Sequence, residues 1–314
     1  MHPHRASNAA RPYETFGWQG ITLTVPADWH IVFNQGRRAS GQVRLADESA
    51  VRLEVRWQAA RGNESPQQTV STYLARLSRR AAKEGTDLAV QRDLRLASPP
   101  DADVECYRWV ADRQALAMLS RCRRCSRLVH LHLWGEPAES LKGLARTVFA
   151  SLRDHPDDGT DLWRFLDVEF RTPSGLPLVR KSLQSGCVRM AFGGRSTRLE
   201  FVRVSLAETL LRRKSLKEWF GEFYGRSLKR RSYDASEATL KGHAGLQAEG
   251  RPWLLVNPLA LIGRRRVLRA ACWHCETSNR LFICRFDGPA AQVGLFGEAV
   301  AGFKCCPEAE EGRG

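Results

Sequence analysis

Gly41-Gln-Val-Arg-Leu-Ala46 and Gly186-Cys-Val-Arg-Met-Ala191 share Gly, Val, Arg and Ala at matching positions, 145 residues apart in a chain of 314. Working outward, Arg52-Leu-Glu-Val55 matches Arg198-Leu-Glu-Phe201 at 146, and Cys122-Arg-Arg-Cys125 matches Cys272-Trp-His-Cys275 at 150. Ser126-Arg-Leu128 and Asn279-Arg-Leu281 continue the agreement, and Phe149 to His155 lies opposite Val300 to Cys306. Matches that keep their order while their separation drifts are the mark of an internal repeat whose loops have changed length. The chain therefore reads as two tandem copies, residues 13–155 and 163–306. Residues 156–162, around Pro156-Asp-Asp-Gly159, form the linker, and the tail at 307–314 is expected to be disordered.

Each copy presents the same order of elements. Ile21 to Val25, Gly41 to Ala46 and Val51 to Trp57 alternate with a period of two, which places Val51, Leu53, Val55 and Trp57 on one face of a strand. Ser65-Pro66 is an N-cap and first-turn pair, and Val70, Tyr73, Leu74 and Leu77 recur at helical spacing until Gly85 stops the helix. Ser215 to Arg230 is the matching helix, with Leu216, Trp219, Phe220, Phe223 and Leu228 on its apolar face. Strands at Ala115 to Arg121 and Leu128 to Trp134 flank the first cysteine pair, and a helix over Ala138 to Leu152 closes the copy. The expected class is α+β: two copies of a sandwich in which helices pack on an antiparallel sheet of about six strands. This order, with the early turn Val25-Pro26-Ala27-Asp28-Trp29, resembles the Mog1/PsbP/DcrB-like fold. The resemblance spans each copy and implies a small binding or assembly factor without catalysis. The second copy departs from it at Thr172-Pro-Ser-Gly-Leu176, where the tryptophan is missing.

Nine cysteines with no apolar leader in the first twelve residues point to a reducing compartment, the cytoplasm, where paired thiols hold metal rather than disulfides. A Cys-x-x-Cys turn supplies two thiolates from one bend, and zinc takes four such ligands in a tetrahedron. The first expectation is one structural Zn2+ shared by Cys122, Cys125, Cys272 and Cys275. The second keeps the metal inside a copy. Cys305 and Cys306 then join Cys272 and Cys275, while Cys122, Cys125 and His155 stand at the equivalent places and Asp154 replaces Cys305. Cys106, Cys187 and Cys284 stand alone on strands and read as small core residues. A thiol redox protein is a further alternative, but its reactive Cys-x-x-Cys opens a helix, and Val267 to Ala271 reads as a strand.

A composition 43% hydrophobic and 26% charged is that of a globular chain, and the net charge of +15 makes its surface attract anions. In the second copy Arg212, Arg213, Lys214, Lys229, Arg230, Arg231, Arg264, Arg265 and Arg266 form the basic face, with Trp219, Phe223, Tyr224 and Tyr233 among them. Cations alternating with aromatics suit a nucleic acid; without base stacking the same face suits an acidic protein. The longest apolar stretch, Leu254 to Gly263, is too short to span a bilayer. Phosphate-binding loops, zinc-protease helices and hydrolase elbows are missing from the sequence. The expected protein is a non-enzymatic, zinc-stabilised interaction or assembly factor that binds an acidic partner, with a nucleic-acid-binding accessory protein as the alternative.

Overall fold

The computed structural model describes residues 12–60, 62–96, 98–156, 158–166, 168–184, 186–228, 231–252 and 266–306. The tail beyond 306, and with it the expectation of disorder there, lies outside the described residues, as does the apolar stretch 254–263. The chain divides into two compact units after Leu166.

The first unit runs β1 (Tyr13–Trp18), β2 (Ile21–Pro26), β3 (His30–Gly36), β4 (Ser40–Ala46), β5 (Val51–Ala59), α1 (Pro66–Glu84), β6 (Ala89–Gln91), β7 (Ala102–Val110), β8 (Gln114–Cys122), β9 (Arg127–Gly135), α2 (Lys142–Ala150) and β10 (Thr160–Phe165). Seven strands make one antiparallel sheet in the order β3-β4-β5-β9-β8-β7-β6. Leu53, Val55 and Trp57 are buried on one face of β5, as their alternation with the charged Arg52, Glu54 and Arg56 requires. On the opposite face α1 packs against β7 and β8, where Val70 and Leu74 meet Tyr107, Trp109 and Ala117. β1, β2 and β10 pair separately: β2 lies along β1, and Gly17 of β1 faces Arg164 of β10. Gly17 is required there, because a Cβ would sit 2.6 Å from the Leu162 carbonyl oxygen. Trp18 is wedged edge-on between Trp163 and Phe165, each 5.3 Å away, and α2 touches both β2 and β8.

The second unit runs β11 (Val168–Pro173), β12 (Leu178–Gln184), β13 (Cys187–Gly193), β14 (Arg198–Ser205), α3 (Ala207–Leu211), α4 (Leu216–Leu228), β15 (Arg231–Leu240), β16 (His243–Pro252), β17 (Arg266–Cys275), β18 (Arg280–Pro289), a 3-10 turn (Ala290–Gln292) and α5 (Gly294–Ala301). Its sheet has the order β12-β13-β14-β18-β17-β16-β15. Strand for strand this is the connectivity of the first sheet, with a helical segment after the third strand and another after the last.

The α+β class expected from the sequence does not hold. Strands take 51% of the chain and helices 20%, and three antiparallel sheets dominate the architecture. The difference comes from edge strands. β3 and β6 are largely exposed along their length and β12 has no fully buried residue, so they lack the one-sided burial that makes a strand readable. The closing helix is also shorter than expected, nine residues at α2 rather than the whole of Ala138 to Leu152. Residues 160–165, divided by the sequence reading between the linker and the second copy, are β10, which pairs with β1 of the first unit.

The caps of α1 are as local chemistry dictates. The Ser65 hydroxyl accepts from the Gln68 amide, the Gln68 side chain accepts from the Ser65 amide, and Gly85 ends the helix in the left-handed region at φ 67°. Ser65→Ala is expected to cost about 1 kcal/mol, measurable as a lowered urea midpoint with an unchanged slope.

Candidate metal centres and a polar cleft

β8 ends at Cys122 and β9 begins at Arg127; β17 ends at Cys275 and β18 begins at Arg280. Each hairpin is closed by four residues, and the last of them has a positive φ, 58° at Ser126 and 50° at Asn279. By hairpin position Cys122 thus corresponds to Cys275, whereas the Cys-x-x-Cys spacing in the sequence aligns it with Cys272. A second pair of equivalences follows the closing helices. The Arg153 amide donates to the Thr22 carbonyl and the Lys304 amide to the Glu169 carbonyl, at 3.0 and 2.9 Å. Counting one and two residues on, Asp154 corresponds to Cys305 and His155 to Cys306.

These positions carry the two groups of metal-ligating side chains found among the described residues. In the first unit Cys122, Cys125, Asp154 and His155 have ligand atoms all within 4.8 Å of one another; in the second, His243, Cys275, Cys305 and Cys306 do. His155 Nε2 lies 3.1 Å from the Cys125 sulfur, and Asp154 Oδ2 lies 3.6 Å from it. The other Asp154 oxygen is held 3.2 Å from the buried Arg127 guanidinium, so a single oxygen faces the group. The Arg124 amide is aimed at the Cys122 sulfur at 3.4 Å, as in a turn that stabilises a thiolate. A small cavity of about 130 Å³ opens beside Cys122, Asp154 and His155. In the second unit the Cys305 and Cys306 sulfurs are 3.6 Å apart and Cys306 is 3.4 Å from His243 Nε2.

Cys122, Cys125 and Cys275 belong to these groups. Cys272 stands apart from both groups: it is fully buried among Leu246, Ala270 and Ile283, and burial pushes its thiol up. Of the lone cysteines, Cys106 and Cys284 are buried and Cys187 half-buried. His243 was not legible as a ligand. It opens β16 after the turn at Lys241-Gly242, far in sequence from any cysteine, and the pairing of β16 with β17, which sets Gly245 against Trp273, carries it to the group. Desolvation pushes Cys125 up to about 11 and Cys306 up to about 12 in the metal-free chain.

The other feature lies on the α1 face of the first sheet, a cleft of about 950 Å³. Its floor includes Arg56, Gln58 and His130, and α1 contributes Thr72, Tyr73 and Arg76. Strand register fixes what stands at these places in the second unit. β5 pairs Arg56 with His130 and Gln58 with Leu128; β14 pairs Val202 with Ile283 and Val204 with Leu281. Arg56, Gln58 and His130 therefore replace Val202, Val204 and Ile283, which belong to an apolar core covered by Ala207 of α3 and by Trp219, Phe220 and Tyr224 of α4. One polar element is common to both units. Glu54 and Glu200 hold the same register and are both buried. Glu54 accepts from Gln42 and Arg44 at 2.6 and 2.5 Å and is ion-paired with Arg56 at 2.7 Å; Glu200 accepts from the Tyr224 hydroxyl at 3.1 Å, under Arg189 and Arg285 stacked on the aromatics of α4.

No protein-family profile matches the chain, and no curated protein does. Among solved structures, it is similar to that of the immunity protein TplEi of T6SS from Pseudomonas aeruginosa, complexed with "L" peptide. The TM-score is 0.33 and the identity 11%, over 93% of this chain and 97% of that one.

The basic residues singled out in the second copy fall in several settings. Arg212 and Arg213 are exposed on the turn between α3 and α4. Lys214 is paired with Glu222 at 2.5 Å, and Arg266 with Asp287 at 3.0 Å. Arg231 starts β15. Lys229, Arg230, Arg264 and Arg265 lie outside the described residues. Also among the described residues, no helix is long and apolar enough to cross a membrane.

Proposed function

We propose that this protein is a non-enzymatic interaction factor made of two copies of one β-rich module, and that the cleft of the first copy receives an acidic segment of a partner protein. The observation that carries the reading is the contrast between the two copies. One sheet face is apolar and roofed by helix in the second unit, where it serves as core. At the same register in the first unit the strip at Arg56, Gln58 and His130 is polar and borders a cleft beside α1, while α1 covers the rest of the face. Placing arginine, glutamine and histidine where valine and isoleucine would bury forfeits about 1.5–3 kcal/mol of burial per side chain, a sacrifice that a ligand surface explains and a core does not. Arg56 and Arg76 outnumber the one acidic lining residue, Glu64, and the chain's net charge of +15 favours approach of an anion. Against the thiol redox alternative, Cys122 and Cys275 each end a strand and enter a hairpin turn, without the helix whose amides would activate a thiol.

A fluorescently labelled hexaglutamate peptide is the probe. Its anisotropy is expected to report binding that weakens as salt rises, and Arg76→Glu is expected to weaken it about tenfold or more, ~1.4 kcal/mol per factor of ten. If Arg212→Glu/Arg213→Glu abolished binding while Arg76→Glu left it intact, the site would lie on the α3–α4 turn and the cleft reading would fall. Tighter binding of an oligothymidylate than of the peptide would favour the nucleic-acid alternative.

A further inference from the structure

We infer that the chain binds two zinc ions, one in each unit, through ligand sets of different chemistry: Cys122, Cys125, Asp154 and His155 in the first, and His243, Cys275, Cys305 and Cys306 in the second. This stands independently of the cleft. Four lines of geometry converge on it. Each group offers four donors, the number a structural zinc site takes. With Zn–S bonds of about 2.3 Å, tetrahedral ligands are separated by roughly 3.8 Å for two sulfurs and slightly less for sulfur and nitrogen; the observed separations of 3.6, 3.4 and 3.1 Å lie at or just inside those edges.

The third line is the repetition. Both groups occupy the same place in the fold, at the end of the fifth-position strand of the sheet and just after the closing helix, yet only Cys122 and Cys275 are the same residue type at equivalent positions. Asp154 and His155 stand where Cys305 and Cys306 do, and Ser278 stands where Cys125 does. The second unit recovers its fourth donor from His243 on another strand. Side chains that packed merely as core would have no reason to exchange carboxylate, imidazole and thiol while keeping a count of four. The last line is outer support. Arg127 fixes the Asp154 carboxylate with one oxygen turned inward, and the Arg124 amide bonds the Cys122 sulfur, the kind of partners that orient ligands and offset charge around a metal.

Metal analysis of chain purified without chelator is expected to give two zinc ions per chain. Replacing them with Co2+ should produce thiolate-to-cobalt absorption from five thiolates in total, three from one site and two from the other. Cys305→Ser/Cys306→Ser should lower the content to one ion and leave the two-thiolate spectrum; Cys122→Ser/Cys125→Ser should leave the three-thiolate spectrum. Cys272→Ser and Cys284→Ser should retain both ions. One ion per chain, lost on changing either Cys122 or Cys272, would mean a single site shared by Cys-x-x-Cys pairs and would overturn the assignment. So would metal-free protein that fails to take up Co2+ after reduction, or a denatured chain that titrates fewer than nine thiols because Cys305 and Cys306 are joined. Should a variant fail to fold, titrating the unmodified apo chain with Co2+ still decides between one ion and two.

Discussion

Lowering the pH from 7 to 5 is expected to destabilise the first unit by as much as about 2 kcal/mol through His130 alone, with His132 adding in the same direction. The two rings lie 4.1 Å apart on β9, with Tyr107 Oη 2.6 Å from His130 Nε2 and 3.2 Å from His132 Nε2. His132 is fully buried and its Nδ1 has no hydrogen-bond partner. The least costly proton arrangement has His132 Nε2 donating to Tyr107 and Tyr107 donating to His130, because an acceptor left alone costs less than a buried N–H left alone. Both rings are then neutral. Burial, with Arg56 adding repulsion, lowers His130 to about 3; burial, then His130 and Arg56, lowers His132 well below its ordinary value. The charged groups facing them are Arg56 and Glu54 from β5; α1 contributes the Tyr73 hydroxyl and β7 that of Tyr107, each held un-ionised by burial.

Because the folded-state pKa values are depressed, the unfolded chain binds more protons than the folded one between about 6.5 and about 3. Stability is therefore complete above the unfolded value and drains away as the pH falls through that window. Urea midpoints at pH 7, 6 and 5 test this, since most carboxylates stay ionised over that range. A His130→Leu/His132→Leu/Tyr107→Phe variant removes all three polar partners together, and its midpoint should vary little over the same range. A wild-type midpoint that does not move between pH 7 and pH 5 would show that the imidazoles are solvated or already charged.

The same face shows what the sequence could and could not convey. α1 was legible to its caps, because Ser65, Pro66 and Gly85 act through their own backbone. Strands buried on one face, such as β5, were legible from alternation. The edge strands were not, nor was the departure of β1 and β2 into a separate sheet, since pairing partners are set by distant residues. The metal groups were half legible. Cys122, Cys125 and Cys275, and as alternatives Cys305, Cys306 and His155, were named as ligands; Asp154 was named only as the residue in the place of Cys305. The Cys-x-x-Cys spacing aligned Cys122 with Cys272 and so named Cys272 a ligand beside Cys275, whereas by hairpin position Cys122 corresponds to Cys275 and Cys272 is a core residue. Only strand register could correct it. The cleft was invisible for a related reason: Arg56, Gln58 and His130 gain meaning once they are known to stand where Val202, Val204 and Ile283 are buried.

Phe303→Ala is expected to destabilise the second unit by about 3–5 kcal/mol, and Phe303→Leu by less than about 1.5. Phe303 is wholly buried and stands at the centre of an aromatic cluster, its ring 5.2 Å from Trp273 and Phe282 and 5.9 Å from Phe170 and Phe201. These rings come from β11, β14, β17 and β18, so truncation opens a cavity that four strands would have to close together. Backbone hydrogen bonds in strands resist that collapse, which places the cost at the upper end for a phenylalanine. The position also links packing to the metal. Phe303 precedes Lys304, whose amide is bonded to the Glu169 carbonyl of β11, and Cys305 and Cys306 follow at once. Loosening the anchor lets both sulfurs drift from Cys275 and His243. If each unit holds the zinc ion proposed above, Phe303→Ala should release it from the second unit faster than from the first when a chelating dye competes for it, whereas Phe149→Ala, buried at the end of α2, should reverse the order. Denaturation curves and dye-monitored release on the same two variants measure both effects; equal release from both sites in both variants would separate the closing helices from the metal groups.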